Sequence, residues 1–305
     1  MTLSDRDGRA TSSVSPTGAY DSVRASRDGT RLAIGSDDGK EAIVWVHEFG
    51  GPSAMRRLTF EGRNRFPIWS PDSRRIAFQS DRDSSPGIFA TRADGTGETV
   101  RLTTPKDGER HVPESWSPDG KHLSFDVVSG ASHSLWILTL ENGSIARFTD
   151  APSTEPFGSA FSPDGRWLTY HALPPNASAA TTASGVYVEP FPATGARYQA
   201  PKQERDFHPL WSPDGKELMY VPSVSSRRLA IARMSTGSGV TFGDPELIPF
   251  NLAGGHLSAG WRAFDVLPDG RLVGLMPRVS NSGSLSAIRY VVNWFDELQK
   301  LVPVK

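Results

Sequence analysis

Trp116-Ser117-Pro118-Asp119-Gly120 is followed by a basic residue and an apolar run, His122-Leu123-Ser124-Phe125. The same phrase returns as Trp69-Ser70-Pro71-Asp72, Phe161-Ser162-Pro163-Asp164-Gly165 and Trp211-Ser212-Pro213-Asp214-Gly215. Looser copies are Ala25-Ser26-Arg27-Asp28-Gly29 and Val266-Leu267-Pro268-Asp269-Gly270. Proline presets φ for the second position of a tight turn, the aspartate carboxylate accepts local N–H groups, and glycine takes the left-handed return. An apolar strand enters each phrase and another leaves, so each is a hairpin corner. The six aspartates therefore read as turn residues rather than catalytic ones. The bulky side chain before each serine ends an inner strand and packs between sheets.

From Ser26 the phrase recurs at Ser70, Ser117, Ser162, Ser212 and Leu267, in steps of 44, 47, 45, 50 and 55 residues. Strand-turn-strand repeats of this period are blades of a β-propeller with about four strands each. Six phrases predict an all-β, six-bladed β-propeller of four-stranded antiparallel blades. One blade has too little apolar surface to stand alone, so the ring must close.

The repeated W-S-P-D-G phrase resembles the PD40 (WD40-like) repeat of TolB-like propellers over nearly the whole chain. It is not the WD40 repeat itself, since no Trp precedes an Asp. The stretches Val186-Tyr187-Val188-Glu189-Pro190-Phe191-Pro192 and Val291-Val292-Asn293-Trp294-Phe295-Asp296-Glu297-Leu298 are similar to the C-terminal propeller regions of bacterial Ser/Thr protein kinases. The resemblance implies a binding or sensor module, standing alone or as part of a larger sensor or kinase protein. Its ligand would be a peptide, protein segment or small molecule at the channel mouth.

Composition narrows the function further. The 305 residues are 37% hydrophobic with 29 Gly and 24 Pro, which suits short strands joined by turns. A net charge of −1 offers no basic excess for nucleic acid. The absence of cysteine removes disulfides, thiolate metal sites and a thiol nucleophile. No apolar run of about 18 residues is present to span a bilayer. Met1 to Tyr20 is polar, without the apolar core of an export signal. The chain as given reads as cytoplasmic, or as periplasmic if an export signal or parent protein preceded it. There is no kinase motif, G-x-S-x-G elbow, Walker A loop or EF-hand pattern.

Residues 1–8 read as disordered, 9–295 as the propeller and 296–305 as a short C-terminal helix or tail. Arg9 to Ser13 resembles the outermost strand of later repeats, so it is expected to close the ring by joining blade six. Blade six is expected to end with Ile288 to Val292. A Pro- and Ala-rich insertion at 173–184 reads as a surface loop or a lid.

The segments just before each phrase form the innermost strands, and they are polar. His111, His208 and His256 come from three blades, with Glu155 and Asp206 near them in register. Imidazoles and carboxylates converging on one axis would hold a divalent metal, zinc or calcium. Such a metal would activate water against a lactone, ester or phosphotriester. Glu155 or Asp206 would then serve as ligand or base, and Arg65 or Arg262 would steady the anionic transition state. The alternative is that these groups hydrogen-bond one another and channel water. Arg24, Arg65, Arg110 and Arg262 could instead form a basic collar for an acidic peptide. His47, His122, His133 and His171 read as surface or packing residues.

Overall fold

The computed structural model describes residues 2–5, 10–13, 19–49, 55–149, 156–172, 185–223, 226–237, 239–250 and 262–275. Each phrase is a turn in which the first residue's C=O accepts the N–H of the fourth, as in Gly120 to Ser117 and Gly215 to Ser212. The serine hydroxyl donates to the aspartate at 2.6 Å, from Ser117 to Asp119 and from Ser212 to Asp214. The same hydroxyl accepts the N–H of the first residue in the next strand, His122 at 2.8 Å and Glu217 at 2.9 Å. The aspartate in turn accepts the N–H of Lys121 or Lys216. In the second phrase Ser73 takes the glycine position with φ 57°. These turns lock the first hairpin of every blade.

Blade one consists of Tyr20–Ala25, Arg31–Asp37, Ala42–Glu48 and Arg56–Arg57, from the channel outwards. Blade two is Asn64–Trp69, Arg75–Ser80, Gly87–Arg92 and Val100–Arg101. Blade three is Glu109–Trp116, His122–Ser129, Ser132–Thr139 and Ser144–Arg147. Blade four is Phe157–Phe161, Trp167–Ala172, Gly185–Pro190 and Tyr198–Gln199. In blade five, Phe207–Trp211, Glu217–Val221 and Arg228–Ser235 are followed by Thr241–Phe242 and Glu246–Pro249, both paired to the third strand.

Blade six combines strands within 264–274 with strands from the first residues of the chain. Phe264–Val266 and Leu272–Gly274 are extended by Thr2–Ser4 and then by Ala10–Ser13. The outer strand lies where the repeat predicts it. The third strand comes from the segment expected to be disordered. Leu3 is buried among Val23, Leu32, Ile34, Leu267 and Val273. Thr2–Ser4 pairs antiparallel with Leu272–Gly274. Residues 288–292, the insertion 173–184 and the tail 296–305 lie outside the described residues.

The core is divided among the gaps between blades. Six apolar clusters of described residues occur, one at each blade–blade interface around the ring. Strand alternation builds them. The second strand of each blade sends large side chains to the preceding blade, as Ile76 and Phe78 pack on blade one. In blade two the residue between them, Ala77, packs forwards on blade three. Leu123 with Phe125, and Leu218 with Tyr220, repeat the backward packing. Trp69 and Trp211 fill the same gaps, and their indole N–H groups donate to Arg24 O and Ala160 O on the preceding blade. A slip of one residue would turn every large side chain to the wrong neighbour, so pattern fixes register.

Candidate functional site: the central channel

Every described inner strand of blades one to five is broken by a β-bulge. The register shifts between Tyr20 and Ser22, Arg65 and Ile68, Pro113 and Ser115, Phe157 and Ala160, and Phe207 and Leu210. Phe66, Gly158 and His208 take positive φ at these points, of 55°, 67° and 55°. A bulge re-aims a side chain, and this ring of bulges governs which groups meet in the channel.

At the turn end, a cavity of ≈ 420 Å³ is lined from all six blades. Pro71, Pro163, Pro213 and Pro268 form its rim, and Arg24, Arg262 and Glu114 lie among its lining residues. Exposed Arg27 reaches over the mouth from blade one and donates to Pro163 O of blade four at 3.3 Å.

Below it, Glu114 on its bulge is gripped by blade four. Gly158 N–H donates to one carboxylate oxygen; Ser159 N–H, at 2.8 Å, and the Ser159 hydroxyl take the other. Burial, reinforced by nearby Asp126, pushes Glu114 up to about 7 against those hydrogen bonds. Arg24 is brought down to about 9 by burial and then by neighbouring Arg262. Burial lowers Arg262 as well, opposed by Asp265 at 3.5 Å. Asp265 also accepts the N–H of Ala25, tying blade six to blade one.

At the other end, a cavity of ≈ 390 Å³ is lined by residues including Asp21, Arg65, Gln79 and Arg110. Arg65 Nε sits 2.7 Å from Asp37, which Arg63 also contacts at 2.8 Å. Arg65 is thus an ion-pair partner at the opposite mouth from Arg262.

Of the predicted metal ligands, His111 and His208 have different neighbours. His111 is buried against the Phe125 ring, and its Nε2 lies 3.9 Å from Glu109 on its own strand. Burial holds it down at about 4. His208 packs instead on His171, with ring centroids 5.6 Å apart. Asp206 accepts the N–H groups of Gln203 and Glu204, and burial raises its pKa. Glu155 and His256 lie outside the described residues. Among the described residues, no three His, Asp or Glu side chains group as a metal site requires.

The imidazoles that do meet are different ones. His133 stacks on Phe157 at 4.3 Å, Phe157 meets His171 at 4.0 Å, and His171 meets His208. This row bridges blades three, four and five, and His133 Nδ1 lies 2.6 Å from buried Asp126. The sequence reading took His133 and His171 as surface or packing residues and missed their junction with His208. It also gave Glu114 no role.

No family model matches the chain. It is 25% identical over 205 residues to the uncharacterised peptidase YuxL of Bacillus subtilis, covering 53% of this chain and 30% of that one. It is 27% identical over 203 residues to the uncharacterised protein Atu1656 of Agrobacterium fabrum, covering 64% and 67%. With the Tol-Pal system protein TolB of Francisella tularensis it shares 26% over 166 residues, covering 52% and 38%. The match thus spans only about a third of YuxL and of this TolB. Among solved structures, a putative TolB from Agrobacterium tumefaciens superposes with TM-score 0.63 at 17% identity, covering 88% of this chain and 92% of that one. TolB from Acinetobacter baumannii gives 0.60 at 22%, covering 82% and 60%. An oligogalacturonate lyase from Vibrio parahaemolyticus gives 0.57 at 12%, covering 88% and 76%, so the architecture is shared with an enzyme too. These likenesses support the TolB side of the resemblance and add nothing to the kinase side. The blade pattern, the locked turns and these likenesses together make the chain a six-bladed β-propeller similar to those of TolB proteins.

Proposed function

We propose that the protein is a binding module whose ligand, a peptide or protein segment bearing an acidic group, enters the channel at the turn end. The observation that carries this reading is the ≈ 420 Å³ cavity there, to which all six blades contribute. Its volume lies within the range of about 300–1,000 Å³ that ligand sites occupy. The proline rim offers apolar contact. Arg24, Arg27 and Arg262 outnumber Glu114 and Asp265, and both of these carboxylates already accept backbone N–H groups. An incoming carboxylate would find charge-assisted donors. The serine–aspartate locks hold the rim in place before binding, which limits the ordering cost. The Francisella relative is named for a Tol-Pal system, and a protein partner is the corresponding reading for this chain.

The test is selection from a random displayed-peptide library on the purified protein, followed by calorimetric titration of enriched peptides. Arg27→Glu, an exposed change at the turn-end rim, should weaken binding at least about tenfold through charge reversal. Arg65→Ala, at the opposite mouth, should leave it unchanged. Failure to enrich any binder, or the reverse pattern in the two variants, overturns the reading.

A further inference from the structure

Arg24 lines the channel, and its donors are only partly used. Nη1 donates to Val23 O at 2.7 Å and to Arg262 O at 2.8 Å. Nε is shut off from solvent and has no partner among the described residues. A buried guanidinium N–H with no acceptor is destabilising, so an acceptor is expected in native conditions. Arg262 is close behind. It spends Nε on Phe264 O at 3.0 Å and Nη1 on Pro209 O at 3.3 Å. Two guanidinium groups thus share one buried site, and each disfavours the other's charge.

Both arginines line a small cavity of ≈ 30 Å³, together with Phe66, Glu114, Ser159 and His208. That is room for a single water or one monatomic ion, and too little for sulfate or a carboxylate-bearing ligand. A water would accept from Nε without offsetting the paired positive charges. A monatomic anion does both. Glu114 is the competing charge, but both of its oxygens are turned to blade-four donors. Asp265 is likewise engaged with Arg262 and the Ala25 N–H.

We propose that the middle of the channel is a halide site, in which a chloride ion accepts from Arg24 Nε and is flanked by the Arg262 guanidinium. It shares Arg24, Arg262 and Glu114 with the lining of the turn-end cavity, but it rests on the unpartnered Arg24 Nε rather than on that reading. The ion joins blades one and six electrostatically at the seam of the ring. It therefore binds the folded chain and not the unfolded one.

The test is thermal unfolding at pH 6 and constant ionic strength, with gluconate replaced stepwise by chloride or bromide. The expected result is a saturable rise in Tm, about 5 °C at a hundredfold excess over Kd. Sulfate should give no saturable rise. Arg24→Gln should abolish the halide-specific component. Should that variant fail to fold, anomalous diffraction from wild-type crystals grown in bromide decides. A peak beside Arg24 Nε supports the site. Equal melting in all anions, or no peak in the channel, overturns it.

Discussion

Glu114→Gln should change how stability depends on pH, and the sign follows from its surroundings. Burial and Asp126 hold the Glu114 carboxyl at about 7, against an ordinary 4.5 in the unfolded chain. Between those two values the folded protein keeps a proton that the unfolded chain has released. Unfolding therefore releases a proton, and this contribution to stability is complete below 4.5 and lost as pH rises to 7. At 1.36 kcal/mol per tenfold change in proton affinity, the upper bound is about 3 kcal/mol. Glutamine cannot titrate. Its NH₂ also faces the N–H donors of Gly158 or Ser159, a pH-independent cost of about 1–3 kcal/mol. Urea unfolding of wild type and variant at pH 5, 6, 7 and 8 separates the two effects. The variant should be less stable at pH 5 and recover relative to wild type by up to about 3 kcal/mol at pH 8. Parallel pH profiles would refute the placement of Glu114 in a closed, low-dielectric site.

His111 works in the opposite direction. Burial holds it near 4, so its contribution is present above 6.5 and lost as pH falls towards 4. His111→Gln should gain stability relative to wild type on going from pH 7 to pH 4.5 in the same urea assay. Ser212→Ala removes the acceptor of Glu217 N–H and the donor to Asp214, and should cost about 2 kcal/mol, read as a lower urea midpoint with unchanged slope. Gly158→Ala combines φ +67° with a Cβ placed 2.6 Å from the His171 ring. It should destabilise by about 2–4 kcal/mol and lower Tm by several degrees.

The six turns were legible because their chemistry is local. A Ser-Pro-Asp-Gly phrase satisfies its own hydrogen bonds whatever lies around it, and the spacing then counts the blades. The outer strand of blade six was legible as a repeat fragment. Thr2–Ser4 was not, because three residues with one apolar side chain carry no periodicity, and only the cluster around Leu3 reveals its place. Channel residues were legible as a class, since the inner strands precede each phrase, and Arg262 and His208 do lie there. Their grouping was not, because the bulges decide which side chains face the axis. A signal for the bulges was present: Pro67, Pro113, Gly158 and Pro209 stand two or three residues before the phrase. Proline or glycine inside a strand marks a bulge, and that signal would have singled out Glu114 beside Pro113. The His133–Phe157–His171–His208 row has no such mark, because it is made by packing across three blades.

Hydrogen–deuterium exchange of the protein with and without a selected peptide tests binding at the turn end most directly. Protection is predicted at 24–27, 68–71, 114–116, 160–163, 210–213 and 262–268, the lining contributed by the six blades. Protection on the outer strands, or around Asp21, Arg65 and Arg110 at the opposite mouth, would contradict it.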